Sequence, residues 1–526
     1  MTEGDYVVRF ESTELPLCET VRTDVLVLGG GHAGIQCALA AAECGAAAIV
    51  IEQQAEDKIW IKGEQIASFN SKFLIEKGFG PYNLDDIIDE YCRCGAFRVN
   101  QDLIASFVKH SGETLDHLIS LVSPEDDLLN DDQCNVHEAY GKPQYPVVHG
   151  GARSWASTLQ FRGTVIKERD TNYRVNELSR LPELAMYAVR RAQELGAEWR
   201  YEQKVISLVE SGKRIIGAIA RDKQGNYHQY LARKGVMLAL GRAGDEAQKL
   251  GVAAGGHVEL DLRHVPDISC VPTGAGFVSF LMLNARGERF CNEGIPYGIS
   301  AAIDRQPPGV VCIVTDAKYM QQIRLSGVHH GNADFGMPEY IEQYETDMSH
   351  VIEYGAEGYE VRNLSLSERE TARYWCANTL DELAGYLGYS GTAKETWLAS
   401  IRRYNEMCYQ QKDTDYNKEA EALLPIDQPP YFGAKAINKP LSQRDYHRSG
   451  PALGLVTDKQ FRVVDDNIEP IEGLFTAGDA MGGRFSVYYP TPCGGAYVGM
   501  AMTHGRLAGQ IIANMDNAEI PETQNP

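Results

Sequence analysis

TDVLVLGGGHAGIQCALAAAECGAAAIVIEQQ, residues 23–54, joins an apolar run, a glycine cluster, an alanine-rich run and a second apolar run. The pattern predicts a short buried strand over Asp24–Leu28, a helix over Ala33–Cys44 and a second strand over Ala46–Glu52, a βαβ unit. Gly29, Gly31 and Gly34 form G-x-G-x-x-G within it, and Glu52 follows Gly31 by 21 residues at the end of the second strand. The first glycine permits a tight turn, the second lets backbone N–H groups approach a pyrophosphate, and the third allows close helix–strand packing. Ala33 is small at the helix start, and Glu52 is placed to accept ribose hydroxyls. A lone glycine pattern would be weak. Strand, glycines, helix, strand and acid in this order predict dinucleotide binding.

Further along, ELGAEWRYEQKVISLVESGKRIIGAIARD (194–222) reads as a helix end followed by alternating strands that turn at Ser211-Gly212 and include Val205. KGVMLALG (234–241) is another buried strand, ending at Gly241. Near the other end, IEGLFTAGDAMGG (471–483) reads as a strand, a Gly478-Asp479 turn and small residues. Flavoproteins use such an element: Asp479 would accept from ribityl hydroxyls, while the N-terminus of the following helix, from Gly495 and Ala496, faces the isoalloxazine. A plain β-turn is the alternative for any Gly-Asp pair. The expected architecture is α/β: a discontinuous Rossmann-type FAD-binding domain (1–265 and 433–526) with an inserted α+β cap, or substrate, domain over 266–432. Two helical stretches, 366–388 and 392–411, are expected in the cap.

Composition narrows the function. At 526 residues with 44% apolar and 23% charged residues, the chain is an ordinary globular one of two or three domains. The excess of 72 acidic over 50 basic residues, a net charge of −22, argues against nucleic acid and anionic membranes as partners. No run approaches the roughly 18 apolar residues of a membrane span, and MTEGDYVVRFESTELP does not read as a signal peptide. Twelve scattered cysteines contain no Cys-x-x-Cys, which argues against zinc, cluster and c-type haem motifs and suits a reducing cytoplasm. Any redox centre is therefore a bound cofactor, expected to be non-covalent FAD. His329-His330 has no third ligand at metal spacing, so no metal is expected.

GGGHAG (29–34), the strand ending in Glu52, NARGERFCNEGIPYG (284–298), GLFTAGDAMGG (473–483) and GGAYVGMAMTHGRLAG (494–509) together resemble one flavoprotein family. It contains soluble fumarate reductases, urocanate reductases and 3-ketosteroid dehydrogenases, and the resemblance covers most of the chain. It implies a mobile cap over the flavin and hydride exchange between flavin N5 and a carbon–carbon bond activated by a carbonyl. The chain departs from the family at IWIKGEQIASFNSK (59–72), where members usually carry G-G-[NS]-[ST]. It also lacks the two arginines by which fumarate reductases protonate and clamp their substrate, at positions aligned with Tyr297 and with about Pro492.

Both replacements resemble the ketosteroid dehydrogenases, whose N-E-x-x-P-Y and Y-P-G-x-G stretches supply a tyrosine acid/base and a tyrosine-plus-backbone carbonyl clamp. By that resemblance Tyr297 transfers the proton, and Tyr489 or its neighbour Tyr488 clamps a ketone oxygen with backbone N–H groups near Gly494 and Gly495. His447 sits roughly where fumarate reductases place a substrate histidine, with Arg444 and Arg448 beside it. Arg484, directly after Gly482-Gly483, faces either the flavin or a substrate carboxylate. Cys291 and Cys493 read as small buried residues. The implied function is FAD-dependent reduction or desaturation of an enone or ketosteroid-like small molecule, with a separate electron donor or acceptor. The alternatives are a fumarate- or urocanate-type reductase of an unsaturated carboxylate and a non-catalytic flavin-binding protein.

Overall fold

The computed structural model describes residues 15–58, 61, 63, 65–130, 134–136, 147–149, 152–161, 179–241, 246–261, 278–294, 299–325, 338–362, 371–440, 452–485 and 492–518. Strand β1 (Leu17–Leu28), helix α1 (His32–Glu43) and strand β2 (Ala48–Ile51) form the expected βαβ unit. Val25, Leu26, Val27 and Leu28 are all fully buried. Val25 and Val27 enter one hydrophobic cluster and Leu26 and Leu28 another, so both faces of the strand are covered. That is why an unbroken apolar run, rather than an alternating one, codes for it.

The sheet is completed by β3 (Glu198–Arg200), β4 (Gln203–Ser211), β5 (Arg214–Asp222), β6 (Tyr227–Leu238), β7 (Arg462–Val464) and β8 (Pro470–Thr476). Its main order is β7-β8-β6-β1-β2-β3, with β5 pairing β6 and β4 pairing β5. From β8 to β3 the strands run parallel, and β7 is antiparallel to β8. The length of β6 lets one edge serve two partners: Tyr227–Leu231 pairs β5, and Val236–Leu238 pairs β8. Chain segments more than two hundred residues apart are thereby stitched into one nucleotide-binding layer. The C-terminal helix, Ala496–Ala513, then packs on α1.

Beside this layer lie the helices Leu84–Cys94, Gln101–Ser120 and Leu181–Glu194 and a three-stranded sheet of Gln65–Ala67, Thr158–Phe161 and Cys134–Val136. The cap is built on an antiparallel five-stranded sheet in the order Leu281–Leu283, Gly309–Thr315, Tyr431–Asn438, Thr371–Ala377 and Tyr359–Arg362. Its strand Tyr431–Asn438 straddles the boundary expected at 432. The expected helix over 366–388 is corrected: Thr371–Ala377 is a strand, and the helix there is Leu380–Leu387. TARYWCA alternates, burying Tyr374 and Cys376 in the cap core, while Trp375 turns to the other side beneath Lys435. A helix start lies only at Thr379, whose hydroxyl and Glu382 form a capping box. The next helix, Gly391–Tyr409, agrees with the expected 392–411. Among the described residues no helix is long and apolar enough to cross a membrane.

Candidate functional site

The glycine cluster between β1 and α1 is shaped by backbone contacts. Gly29 has φ +107°, and a Cβ there would lie 2.4 Å from the Ala239 carbonyl oxygen. A Cβ on Gly34 would come within 2.0 Å of the Gly29 carbonyl oxygen, which is the close strand–helix approach expected of the third glycine. Gly31 differs: among the described residues nothing lies within 4 Å of the place its Cβ would take. It is also the N-cap of α1 and makes no side-chain cap hydrogen bond. The first N–H groups of α1 point out of this end of the helix, where the helix dipole favours an anion.

Glu52 stands at the edge of this opening. Its Oε2 accepts the Gly30 N–H and its Oε1 the Gln54 N–H, each at 2.8 Å. Two backbone donors thus orient the carboxylate while leaving lone pairs for hydroxyls. The Glu52 carbonyl oxygen accepts the Gln203 N–H, which fixes the start of β4, and Val205 is buried in the cluster with Leu28 and Ile51. Gly241, at φ +70°, ends the chain's exit from β6.

A second set of turns meets the first. Gly478 (φ +72°) follows β8, and a Cβ on it would lie 3.0 Å from Ala33 Cβ and 3.7 Å from Ala501 Cβ, so the Gly478-Asp479 turn fits between the two helices. Gly495 (φ +74°) caps the C-terminal helix, again without a side-chain cap bond; a Cβ there would lie 2.7 Å from the Gln65 carbonyl carbon. The Gly494 carbonyl accepts from Thr158 Oγ1 at 2.8 Å, and the Gly495 carbonyl from the Ala67 N–H at 3.1 Å. Ala496 is buried as the helix begins.

Two close approaches set the register of the helices. A Cβ on Gly505 would lie 2.3 Å from the Ala33 carbonyl oxygen, and one on Gly509 2.4 Å from that of Cys37. The helices therefore run parallel. His32 is level with His504, so Ala496–Thr503 extends past the start of α1 by about 12 Å at 1.5 Å per residue. Two helix N-termini, each with a glycine N-cap, point the same way, one set forward of the other, with the Gly478 turn between them.

Arg484 is 1% exposed, with its guanidinium centre 4.7 Å from the Tyr497 ring and 5.4 Å from that of Phe485. Cys493 is buried beneath Tyr91, and burial pushes its thiol up to about 12, so it is no nucleophile. His504 is fully buried, its Nε2 lying 3.1 Å from the Leu103 carbonyl oxygen and 3.2 Å from Ser106 Oγ. Tyr297, Tyr488, Tyr489 and His447, with Arg444 and Arg448, lie outside the described residues.

Sequence reasoning did not find His504, nor a buried ionic cluster around Arg289. Arg289 grips both Glu293 oxygens at 3.0 and 2.9 Å and Asp413 Oδ2 at 2.8 Å; Lys418 Nζ lies 3.4 Å from Glu293 and 2.7 Å from the Ser279 carbonyl oxygen. Burial raises the Glu293 carboxyl pKa, but Lys418 and Arg289 outweigh it and hold it below its ordinary value. The cluster locks the segment that ends at Gly294. Arg289 and Glu293, four apart with opposite charges, were a signal for it; Lys418, 125 residues from Glu293 in sequence, had none. Among the described residues no group of three or more His, Cys, Asp or Glu is arranged to hold a metal ion.

Comparison with known proteins agrees with this geometry. The chain is 26% identical over 259 residues to the 3-oxosteroid 1-dehydrogenase of Mycobacterium tuberculosis, covering 44% of this chain and 38% of that one. It is 26% identical over 248 residues to the 4-oxocyclohexanecarboxylate 2-dehydrogenase of Sinomonas cyclohexanicum, covering 42% and 39%. These matches span about two-fifths of each relative's length. A probable fumarate reductase of Shewanella frigidimarina is 22% identical over 535 residues, covering 93% of this chain and 75% of that one. Among solved structures, the 3-ketosteroid-Δ4-(5α)-dehydrogenase of Rhodococcus jostii superposes with a TM-score of 0.62 at 19% identity, covering 96% of this chain and 98% of that one, which shows a shared fold. The FAD binding domain family model matches residues 24–265 and 262–495. With its glycine turns, its oriented Glu52 and the start of α1 inside that match, which ends at the N-cap of the C-terminal helix, the chain belongs to the FAD-binding domain family.

Proposed function

We propose that the protein is an FAD-dependent oxidoreductase that reduces, or in reverse desaturates, a carbon–carbon bond next to a carbonyl in an enone or ketosteroid-like small molecule. The observation that carries the reading is the register of α1 and the C-terminal helix. Their N-termini are offset by about 12 Å, on the scale that separates the pyrophosphate from the ring of an extended FAD. Residues 29–34 would cradle the pyrophosphate, Glu52 the ribose, Asp479 the ribityl chain and Gly495-Ala496 the pyrimidine edge of the ring. When bound, FAD supplies the hydride acceptor or donor.

The chain's own residues carry the rest. Tyr297 is our candidate for moving the proton at the adjacent carbon, and Tyr489 or Tyr488, with N–H groups near Gly494, for polarising the carbonyl; His447 is a further candidate beside them. The relatives named for ketosteroid and 4-oxocyclohexane substrates support a carbonyl clamp. The second reading, an unsaturated carboxylate held by a cation, is favoured by the buried Arg484. In either case electrons exchange with a separate donor or acceptor. The eleven described cysteines are all free thiols, which supports a reducing, cytoplasmic setting.

The test is anaerobic. The reduced holoenzyme is mixed with panels of enones, ketosteroids and unsaturated carboxylates, and flavin reoxidation is followed. Reoxidation by enones or ketosteroids is expected; reoxidation by carboxylates alone would overturn the carbonyl clamp. Tyr297→Phe is expected to keep FAD and slow turnover about a hundredfold or more. Unchanged turnover would remove Tyr297 from the reaction.

A further inference from the structure

Resting on the proposed carbonyl chemistry, with Tyr297 as the residue that moves the proton, we propose that Lys418 is a positioning residue for that transfer: through Glu293 it fixes the segment from which the chain runs on to Tyr297. The side chains of Lys418 and Glu293, 125 residues apart, are both fully buried. Lys418 Nζ donates to the Ser279 carbonyl oxygen at 2.7 Å, to Tyr404 Oη at 3.1 Å and to Glu293 Oε2 at 3.4 Å, so each of its three hydrogens has an acceptor. Glu293 takes Arg289 on both oxygens and accepts the Met282 N–H of the cap sheet at 3.3 Å.

The turn that carries Lys418 is itself rigid. It folds around Asp413, whose Oδ1 accepts the Asp415 and Tyr416 N–H groups at 2.9 and 3.1 Å and whose Oδ2 accepts the Lys418 N–H at 2.9 Å. It then reaches across to residues 289–294. Asp413 Oδ2 accepts from Arg289, the Tyr416 hydroxyl donates to the Arg289 carbonyl oxygen at 3.0 Å, and Asn292 Nδ2 donates to the Asn417 carbonyl oxygen at 3.1 Å. The Gly294 N–H closes on Asn292 Oδ1 at 2.8 Å. Residues 289–294 are thus held by side chain and backbone up to the last one before the chain continues to Tyr297.

Stability alone does not account for this arrangement. The charges of Arg289, Lys418, Glu293 and Asp413 sum to zero, but stripping water from four ions costs about what their attraction returns, and apolar side chains would fill the same volume as well. What an ionic network adds is direction, because charge-assisted hydrogen bonds fix lengths and angles that apolar packing leaves loose. That direction is felt at Gly294. Three residues span at most about 11 Å, so Tyr297 cannot stray farther than that from a fixed point. Proton transfer needs the donor within hydrogen-bond reach of the reacting atom, and a misplacement of about 1 Å costs on the order of a hundredfold in rate. An anchor this close to the tyrosine therefore has a kinetic consequence.

A charge-balanced pair of substitutions tests the idea. Lys418→Met together with Glu293→Gln removes one charge of each sign and leaves Arg289 paired with Asp413. Reduced holoenzyme is mixed anaerobically with the enone or ketosteroid that wild type reduces, at saturating concentration, and flavin reoxidation is followed in the wild-type and the Tyr297→Phe backgrounds. The pair is expected to keep its Tm within a few degrees and its Kd for FAD, and to slow reoxidation roughly tenfold to hundredfold. In the Tyr297→Phe background it should add little, because the proton donor it misplaces is already gone. Lys418→Gln with Glu293→Gln keeps hydrogen bonds without the charges; it should recover part of the rate, and it serves if methionine costs the fold. A folded pair at wild-type speed would overturn the proposal. So would equal slowing in both backgrounds, which means an effect on the cap at large, or two pairs that both fail to fold, which assigns the cluster to stability. Tyr297→Phe at wild-type speed would be a failure of the Tyr297 reading, and wild-type holoenzyme that reduces no carbonyl substrate a failure of the function itself; each removes the proposal by a result of its own.

Discussion

Replacing Gly505 with alanine tests whether the contact between α1 and the C-terminal helix sets the cofactor site. The new Cβ would lie 2.3 Å from the Ala33 carbonyl oxygen, 2.8 Å from Ala33 Cα and 2.9 Å from its carbonyl carbon, where ordinary contact begins at 3.4 Å. All three atoms are backbone, so no side chain can swing away, and the helices must separate by roughly 1 Å. Overpacking of this kind costs about 1–3 kcal/mol. The better helix propensity of alanine returns up to about 1 kcal/mol. The net expectation is a loss of about 1–2 kcal/mol, seen as a Tm lower by several degrees. Because the same contact fixes the offset of the two N-termini, FAD should also dissociate faster, as followed by the rise in free-flavin fluorescence. Gly385→Ala is the control: this helical glycine is exposed, and among the described residues nothing lies within 4 Å of its added Cβ. There alanine should stabilise by about 0.5–1 kcal/mol. A Gly505→Ala protein as stable and as tightly loaded with FAD as wild type would refute the reasoning.

Glu52→Ala removes a carboxylate oriented by the Gly30 and Gln54 N–H groups. Titration of apoprotein with FAD is expected to give a Kd raised about tenfold to hundredfold, the scale of hydrogen bonds to a charged group; an unchanged Kd would remove Glu52 from the ribose site. Asp413 predicts an acid response. Burial raises its carboxyl pKa, but the Arg289 hydrogen bond and the Lys418 and Asp415 N–H groups bring it from 3.8 to about 2. Because the folded value lies below the unfolded one, its stabilisation is full above about pH 4 and is lost as pH falls to about 2. Asp413→Asn should therefore be less stable than wild type at neutral pH, with the gap closing over that window in urea unfolding. A gap that does not change with pH would contradict the assignment.

The sequence showed the nucleotide half of the fold clearly because its signals are local. The glycines, the small residues of α1 and the acid at the end of β2 lie within one short stretch, each fixed by contacts inside it. β1 begins at Leu17, seven residues before the expected strand, since its first half mixes half-buried and exposed residues without alternation and lacks an apolar run. Thr371–Ala377 reads as helix in the sequence because its seven-residue alternation runs almost directly into the helix behind it. His504 was hidden for another reason. Nothing in MTHGRL marks a histidine whose partners, Leu103 and Ser106, come from a helix four hundred residues earlier.

The division of labour in the chain follows from where its contacts fall. On the proposed reading residues 29–52 hold the pyrophosphate end of FAD and residues 478–496 the ring end, and neither segment alone spans a dinucleotide. Their separation is set by Gly505 on Ala33 and Gly509 on Cys37, and their alignment by β8 pairing with the last residues of β6. Among the described residues, the cap sheet contributes no strand to that layer. Changes at the helix contact should therefore reach the pyrophosphate and ring ends together and appear as cofactor loss. Changes in the Arg289–Glu293–Lys418 cluster should leave the helix register alone and act through the segment that ends at Gly294, three residues before Tyr297. On the proposed reading, mutation should therefore separate the residues that hold FAD from those that choose its substrate, even though the chain passes from one set to the other and back.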